Sequence, residues 1–242
     1  MIKINNISKI YGSYLANEDI TLTIEKGEIF GVLGPNGAGK TTLISQIMGF
    51  IKSTKGDIII NGFNPWLEAE KVMNSVGFIA GEIKLYENMK VKDFIKIYKN
   101  LNENVDDSFL SNLIKLFELD LNKKIKLLSK GNKQKVSIIC SLMSKPKILI
   151  LDEPTSGLDP IMQNKFNILM LELKKQGTTI ILCSHIFQEI EKLCDRVVLL
   201  KEGKMVEVIN LVEGPKIDLE KKFNETFKVS NNQIEEMVFN YE

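Results

Sequence analysis

Ile2, Ile4 and Ile7 begin a loose alternation of apolar and polar positions, and Leu22 and Ile24 alternate with threonines. A two-residue period sends one face to a core and the other to water, so both stretches read as half-buried strands. Ile29-Phe30-Gly31-Val32-Leu33 is apolar throughout and is ended by Gly34-Pro35, as expected of a strand covered on both faces. Leu43, Ile44, Ile47 and Met48 then recur at helical spacing, and Gly49 stops them. Residues 57–60 predict another strand, closed by Asn61-Gly62, a strong hairpin signal.

Over 91–121 the period becomes helical: Phe94, Ile95, Ile97 and Tyr98, then Leu110, Leu113, Ile114, Leu116 and Phe117. Two amphipathic helices with a polar break at 102–107 follow from that spacing. A further helix is expected over 132–144. This middle stretch reads as a helical insertion, because strand patterns return afterwards. Residues 147–152, 178–183 and 197–200 are strand-like, 161–175 and 186–194 are helical, and Glu202-Gly203 is a turn. Strands alternating with helices imply a mostly parallel sheet covered on both faces. The last residues, rich in Lys and Glu with scattered Phe, Leu and Ile, predict a short helical tail.

Composition narrows the picture. The 242 residues are 44% hydrophobic and 26% charged, which excludes a long disordered or fibrous chain. Thirty-two basic against thirty-one acidic residues leave a net charge of +1, which argues against nucleic acid as the main partner. No apolar run approaches the ~18 residues of a membrane span. The polar, alternating start MIKINNISKI does not read as a signal peptide. Cys140, Cys183 and Cys194 form no C-x-x-C pair and sit among apolar residues, which fits core filling in a reducing cytosol.

The chemistry begins at Gly34-Pro35-Asn36-Gly37-Ala38-Gly39-Lys40-Thr41, which matches G-x-x-x-x-G-K-[ST] between a buried strand and an amphipathic helix. Glycines there let successive N–H groups turn inward around phosphate oxygens, and the helix start points its positive dipole end at the same anion. Lys40 supplies a cation for the β- and γ-phosphates of a nucleotide. Thr41 offers a hydroxyl to Mg²⁺, and Thr42 can add a phosphate contact. The rival dinucleotide motif fails, because Thr42 stands where its third glycine belongs.

Asp152 and Glu153 follow the apolar run 148–151, so both carboxylates lie at the carboxyl end of a buried strand, where open α/β sheets bind ligands. An acidic pair of this kind also serves as a helix cap or a solvated loop. With the phosphate loop upstream, Asp152 is expected to hold Mg²⁺ through water and Glu153 to polarise an attacking water.

Three more segments carry a resemblance. Leu128-Ser129-Lys130-Gly131-Asn132-Lys133-Gln134-Lys135 precedes a helix, Ser156-Gly157-Leu158-Asp159 follows the acidic strand, and His185 follows another strand. Together with the phosphate loop, in this order, they make the chain similar to the ATP-binding subunits of ABC transporters over about residues 1–208. The resemblance implies an α/β fold: a phosphate-loop core (1–80 and 145–208) with a mostly parallel sheet and an N-terminal antiparallel β subdomain, a helical subdomain (81–144) and a short tail (209–242). Leu128, Ser129 and Gly131 match the family's L-S-G-G-Q signature, 156–159 its D-loop, and His185 its switch histidine. The adenine-stacking aromatic maps to Tyr11 within Lys9-Ile10-Tyr11-Gly12; a cover for the sheet edge is the other use of that ring.

The family pattern implies that Ser129, the Gly131 N–H, the following helix start and Asp159 complete an ATP site held by a second subunit, with the pair a homodimer more readily than a heterodimer. It further implies ATP hydrolysis driving a separate membrane-spanning permease at the cytoplasmic face of a membrane, as in exporters of drugs, peptides or ions; a soluble ABC ATPase that transports nothing is the alternative. The groove beside 82–89 would receive the permease, with Leu85 and Tyr86 as contacts unless core packing claims them. Two departures stand out. Lys130 and Asn132 replace a signature glycine and glutamine, so Lys130 either adds charge to that site or lies solvated at its rim. Gly81 occupies the place of the Q-loop glutamine, with Glu82 beside it.

Overall fold

A computed structural model describes residues 1–102, 104–212 and 217–227. The chain opens with β1 (Ile2–Tyr11) and β2 (Tyr14–Ile24), passes through β3 (Ile29–Leu33) and α1 (Lys40–Ile47), and returns as β4 (Lys55–Ile60). A short α2 (Ala69–Met73) leads to β5 (Val76–Ile79), and α3 (Val91–Asn100), α4 (Asp107–Leu116) and α5 (Lys130–Leu142) follow. Then come β6 (Ile148–Asp152), α6 (Pro160–Lys175), β7 (Thr179–Cys183), α7 (Phe187–Leu193), β8 (Arg196–Lys201), β9 (Lys204–Asn210) and α8 (Leu219–Phe227). The strands make an antiparallel sheet in the order β2-β1-β4 and a second sheet in the order β5-β6-β7-β3-β8-β9. The second sheet is parallel except where β9 pairs with β8.

Period two explains why the parallel strands are apolar throughout. Ile29, Leu33, Leu149, Leu151, Ile180 and Leu182 point into one core with residues of α3 to α7. Their neighbours Phe30, Val32, Ile148, Ile150, Ile181 and Cys183 point into a second core, shared with α1 and the antiparallel sheet. Covering both faces requires hydrophobic residues at every position. The three free cysteines are buried in these cores; burial pushes the Cys140 thiol up to about 12 and raises Cys183 and Cys194 well above the ordinary thiol value.

Several boundaries differ from the sequence expectation. The Asn61-Gly62 turn closes a single bridge between Ile60 and Phe63 rather than a hairpin, because β4 pairs with β1 instead. Helix α5 starts at Lys130, two residues earlier than expected, with the Ser129 hydroxyl accepting the Asn132 N–H at 3.3 Å. Its first turn has no apolar residue, so periodicity could not mark it. Strand β9 reaches Asn210, into the expected tail, and α8 lies within that tail; 213–216 and 228–242 fall outside the described residues.

Candidate functional site

The glycine loop joins β3 to α1, and Gly39 caps that helix at φ +95°. A Cβ at Gly39 would strike the Ala16 carbonyl and the Asn17 side chain, and one at Gly34 the Leu200 carbonyl. These two glycines are therefore demanded by the neighbouring β2 and β8 backbone. Gly37, at φ +82° with nothing within 4 Å, answers only to its left-handed conformation. The Lys40 ammonium bends back over the loop, donating to the carbonyls of Gly34 at 2.7 Å and Pro35 at 3.0 Å. Asn36, Gly37, Ala38, Gly39, Lys40, Thr41 and Thr42 line a cavity of about 930 Å³ that Asp152 and Glu153 close from the other side.

Asp152 is the last residue of β6 and is 8% exposed. Burial, then the charge of Glu153, pushes its carboxyl above the ordinary aspartate range, while Lys40 and the Gly81 N–H pull it partly back. Glu153 takes a left-handed φ of +50°, and its N–H continues the sheet by donating to the Cys183 carbonyl at 2.9 Å. That turn carries its carboxylate to His185, whose Nδ1 lies 2.6 Å from Glu153 Oε2. A carboxylate partner places the imidazole proton on Nδ1. The carboxyl ends of β3, β6 and β7 thus bring together the glycine loop, both acids and the histidine.

The Ser129 segment does not line this cavity. The start of α5 docks instead on the loop after Glu153. Lys130 Nζ donates to Ser156 Oγ at 2.8 Å, and the buried Gln134 Nε2 donates to the Pro154 carbonyl at 2.7 Å. The exposed Lys130 side chain ties α5 to the 156–159 loop. Asp159 caps α6, accepting the N–H groups of Ile161 and Met162 at 3.0 Å, and these bonds, Met162 first, hold its carboxyl below the usual range.

Residues 17–156 match the family model described as ABC transporter. The chain belongs to the ABC transporter family. A Bacillus subtilis protein, the uncharacterized ABC transporter ATP-binding protein YdbJ, is 35% identical over 87% of this chain and 70% of its own. The lantibiotic transport ATP-binding protein SrtF of Streptococcus pyogenes is 35% identical over 85% of this chain and 89% of its own. Among solved structures, an ATP binding subunit of an ABC transporter overlays with a TM-score of 0.85 at 28% identity, covering 94% of this chain and 99% of the other. This is an ATP-binding cassette and an ATPase of that family.

Tyr14 is among the lining residues that no sequence motif marked. Tyr14 lines the cavity, whereas Tyr11 does not; the Tyr11 ring is half-exposed with the Lys9 ammonium 4.9 Å over it. The two tyrosines are direct cross-strand partners around the Gly12-Ser13 turn. A turn at Gly12-Ser13 would have been the signal, since it pairs Tyr11 with Tyr14.

Proposed function

We propose that this cassette hydrolyses ATP to drive a separate membrane-spanning exporter, and that two copies act head to tail. The 2.6 Å contact between Glu153 and His185 at the rim of the phosphate-loop cavity carries this reading. The Lys40 ammonium leaves its two loop carbonyls for the β- and γ-phosphate oxygens. The N–H groups of the glycine loop and the N-terminus of α1 hold the remaining phosphate charge, with Thr42 beside them. Adenine lies against the Tyr11–Tyr14 pair, with Tyr14 on the cavity side. Glu153 takes a proton from a water whose oxygen attacks the γ-phosphorus; the bond from that phosphorus to the ADP oxygen breaks, giving ADP and phosphate. His185 holds the carboxylate in place.

Mg²⁺ fits the site, because a buried carboxylate with no directly paired cation among the described residues, Asp152, and a hydroxyl on the first turn of α1, Thr41, line one cavity. When bound, it would neutralise charge on the phosphate oxygens. Residues 1–80 and 145–208 act as the nucleotide core, 81–144 as the helical subdomain and 209–242 as its tail. The Ser129 hydroxyl, the Gly131 N–H and the Asp159 loop of one copy face the triphosphate of the other, and a homodimer is the simplest pair.

Phe50, Phe78 and Leu85 line a second cavity of about 490 Å³, a seat for a permease segment, with the exposed Tyr86 at its side. No described helix is long and apolar enough to cross a membrane. In this reading the membrane-spanning part is a separate permease, with the cassette at its cytoplasmic face. Relatives named for lantibiotic transport and linearmycin resistance support export over import. Glu153→Gln tests the chemistry: turnover falls by about 10²–10⁴-fold, the scale of general-base catalysis, while ATP affinity is retained. Wild-type turnover from that variant would end this assignment.

A further inference from the structure

Glu189, on α7, is 5% exposed, yet the proposed chemistry leaves it idle. No ion pair among the described residues includes it. Its partners are hydroxyls. Ser184 Oγ donates to Glu189 Oε2 at 2.6 Å, and the Thr155 side chain supplies a second hydrogen bond. Burial raises its carboxyl above the ordinary range, and those two bonds only partly offset the shift. A buried carboxylate without a cation is costly to keep, so its presence calls for a job that an apolar residue would not do.

The placement of its partners supplies the job. Ser184 directly precedes His185, and Thr155 lies two residues beyond Glu153. Both are nearly fully buried. Ser184 Oγ also accepts the Ile186 N–H at 3.1 Å, which fixes the chain on the far side of the histidine. One carboxylate therefore grips the two segments that carry the two members of the contact. Among the described residues, nothing else ties them side chain to side chain except the contact itself, although the Glu153 N–H to Cys183 carbonyl bond joins their backbones.

We infer that Glu189 is a positioning residue: by holding Ser184 and Thr155 from below, it sets the alignment of His185 on Glu153. The inference rests on the reading of Glu153 as the base. Outer-shell partners of this kind change the performance of the groups they orient without touching the ligand.

The test uses the full chain and its ATP turnover, with nucleotide affinity and thermal melting measured alongside. Glu189→Ala should lower kcat by about 10–100-fold, the range for outer-shell partners, with KM and nucleotide affinity unchanged. Glu189→Gln, which keeps an acceptor for one hydroxyl, should recover part of the lost kcat. Ser184→Ala removes one bond without opening a large cavity, and should lower kcat in the same way should Glu189→Ala fail to fold. A wild-type chain without turnover would overturn the hydrolysis reading itself. Wild-type turnover together with an unchanged kcat in Ser184→Ala, or a Glu189→Gln variant no better than Glu189→Ala, overturns this inference alone.

Discussion

Gly131→Ala probes the docking of α5 against the loop that follows Glu153. A Cβ at this position would stand 2.3 Å from the Gly157 carbonyl oxygen and 3.2 Å from its carbon, where ordinary contact begins at 3.4 Å. The obstacle is backbone, so no side-chain rotation relieves it. Overpacking of this kind costs about 1–3 kcal/mol. Alanine returns at most about 1 kcal/mol through helix propensity, and less in a first turn. The steric term wins, leaving a destabilisation of about 1–2 kcal/mol and a fall in Tm of about 2–8 °C for a chain of this size.

The strain has a direction. Either α5 lifts or the 156–159 loop retreats, and both moves pull Lys130 away from Ser156 and disturb the chain three residues past Glu153. Turnover should therefore drop about tenfold, more than the small loss of folded protein explains. Thermal melting and phosphate release read the two effects separately, with Asn132→Ala as a neighbouring control that adds no atoms. A Gly131→Ala chain that melts at the wild-type temperature or above and hydrolyses ATP normally would refute the close approach.

Asp152→Asn should raise the Tm of the nucleotide-free, metal-free chain at neutral pH. Burial holds the folded-state carboxyl above the unfolded value, so ionising it weakens the folded state; that cost is complete above the raised value and absent below the unfolded one. The advantage of the asparagine variant should shrink as pH falls through that window, and a Tm difference that holds or grows in acid would contradict the sign. Tyr14→Ala should weaken ATP binding about tenfold, as expected for one lost base stack, with Tyr11→Ala the milder of the two. Titration with a fluorescent ATP analogue decides it: the reverse order of effects would return the adenine to Tyr11.

The legible parts of this protein were those whose physics is local. The glycine loop needs only a strand, a few positive-φ positions and a helix start, all within a dozen residues. The acids at the end of β6 are visible because an apolar run must stop somewhere. Contacts between distant segments left no periodic trace. Lys130 to Ser156, Gln134 to the Pro154 carbonyl and Glu189 to Ser184 join elements that only the folded sheet brings together. The short α2 buries one residue, Val72, and β9 is an edge strand with most of its side chains in water, so neither had an apolar pattern to betray it.

The departure at Gly81 becomes intelligible on the same terms. In the family pattern a glutamine at this point reaches the metal and the attacking water. Here the Gly81 N–H bonds the Asp152 carboxylate directly, and a Cβ would stand 3.0 Å from Asp152 Oδ2. A side chain at 81 would make the Asp152 carboxylate give by a few tenths of an ångström. Glu82 lines the cavity, but it is exposed, with Lys84 3.3 Å from its carboxylate. An exposed, paired charge contributes little across solvent. At this point the chain therefore offers a backbone N–H to Asp152 and no side chain to the cavity. Leu85, in the 82–89 segment that follows, lines the neighbouring groove.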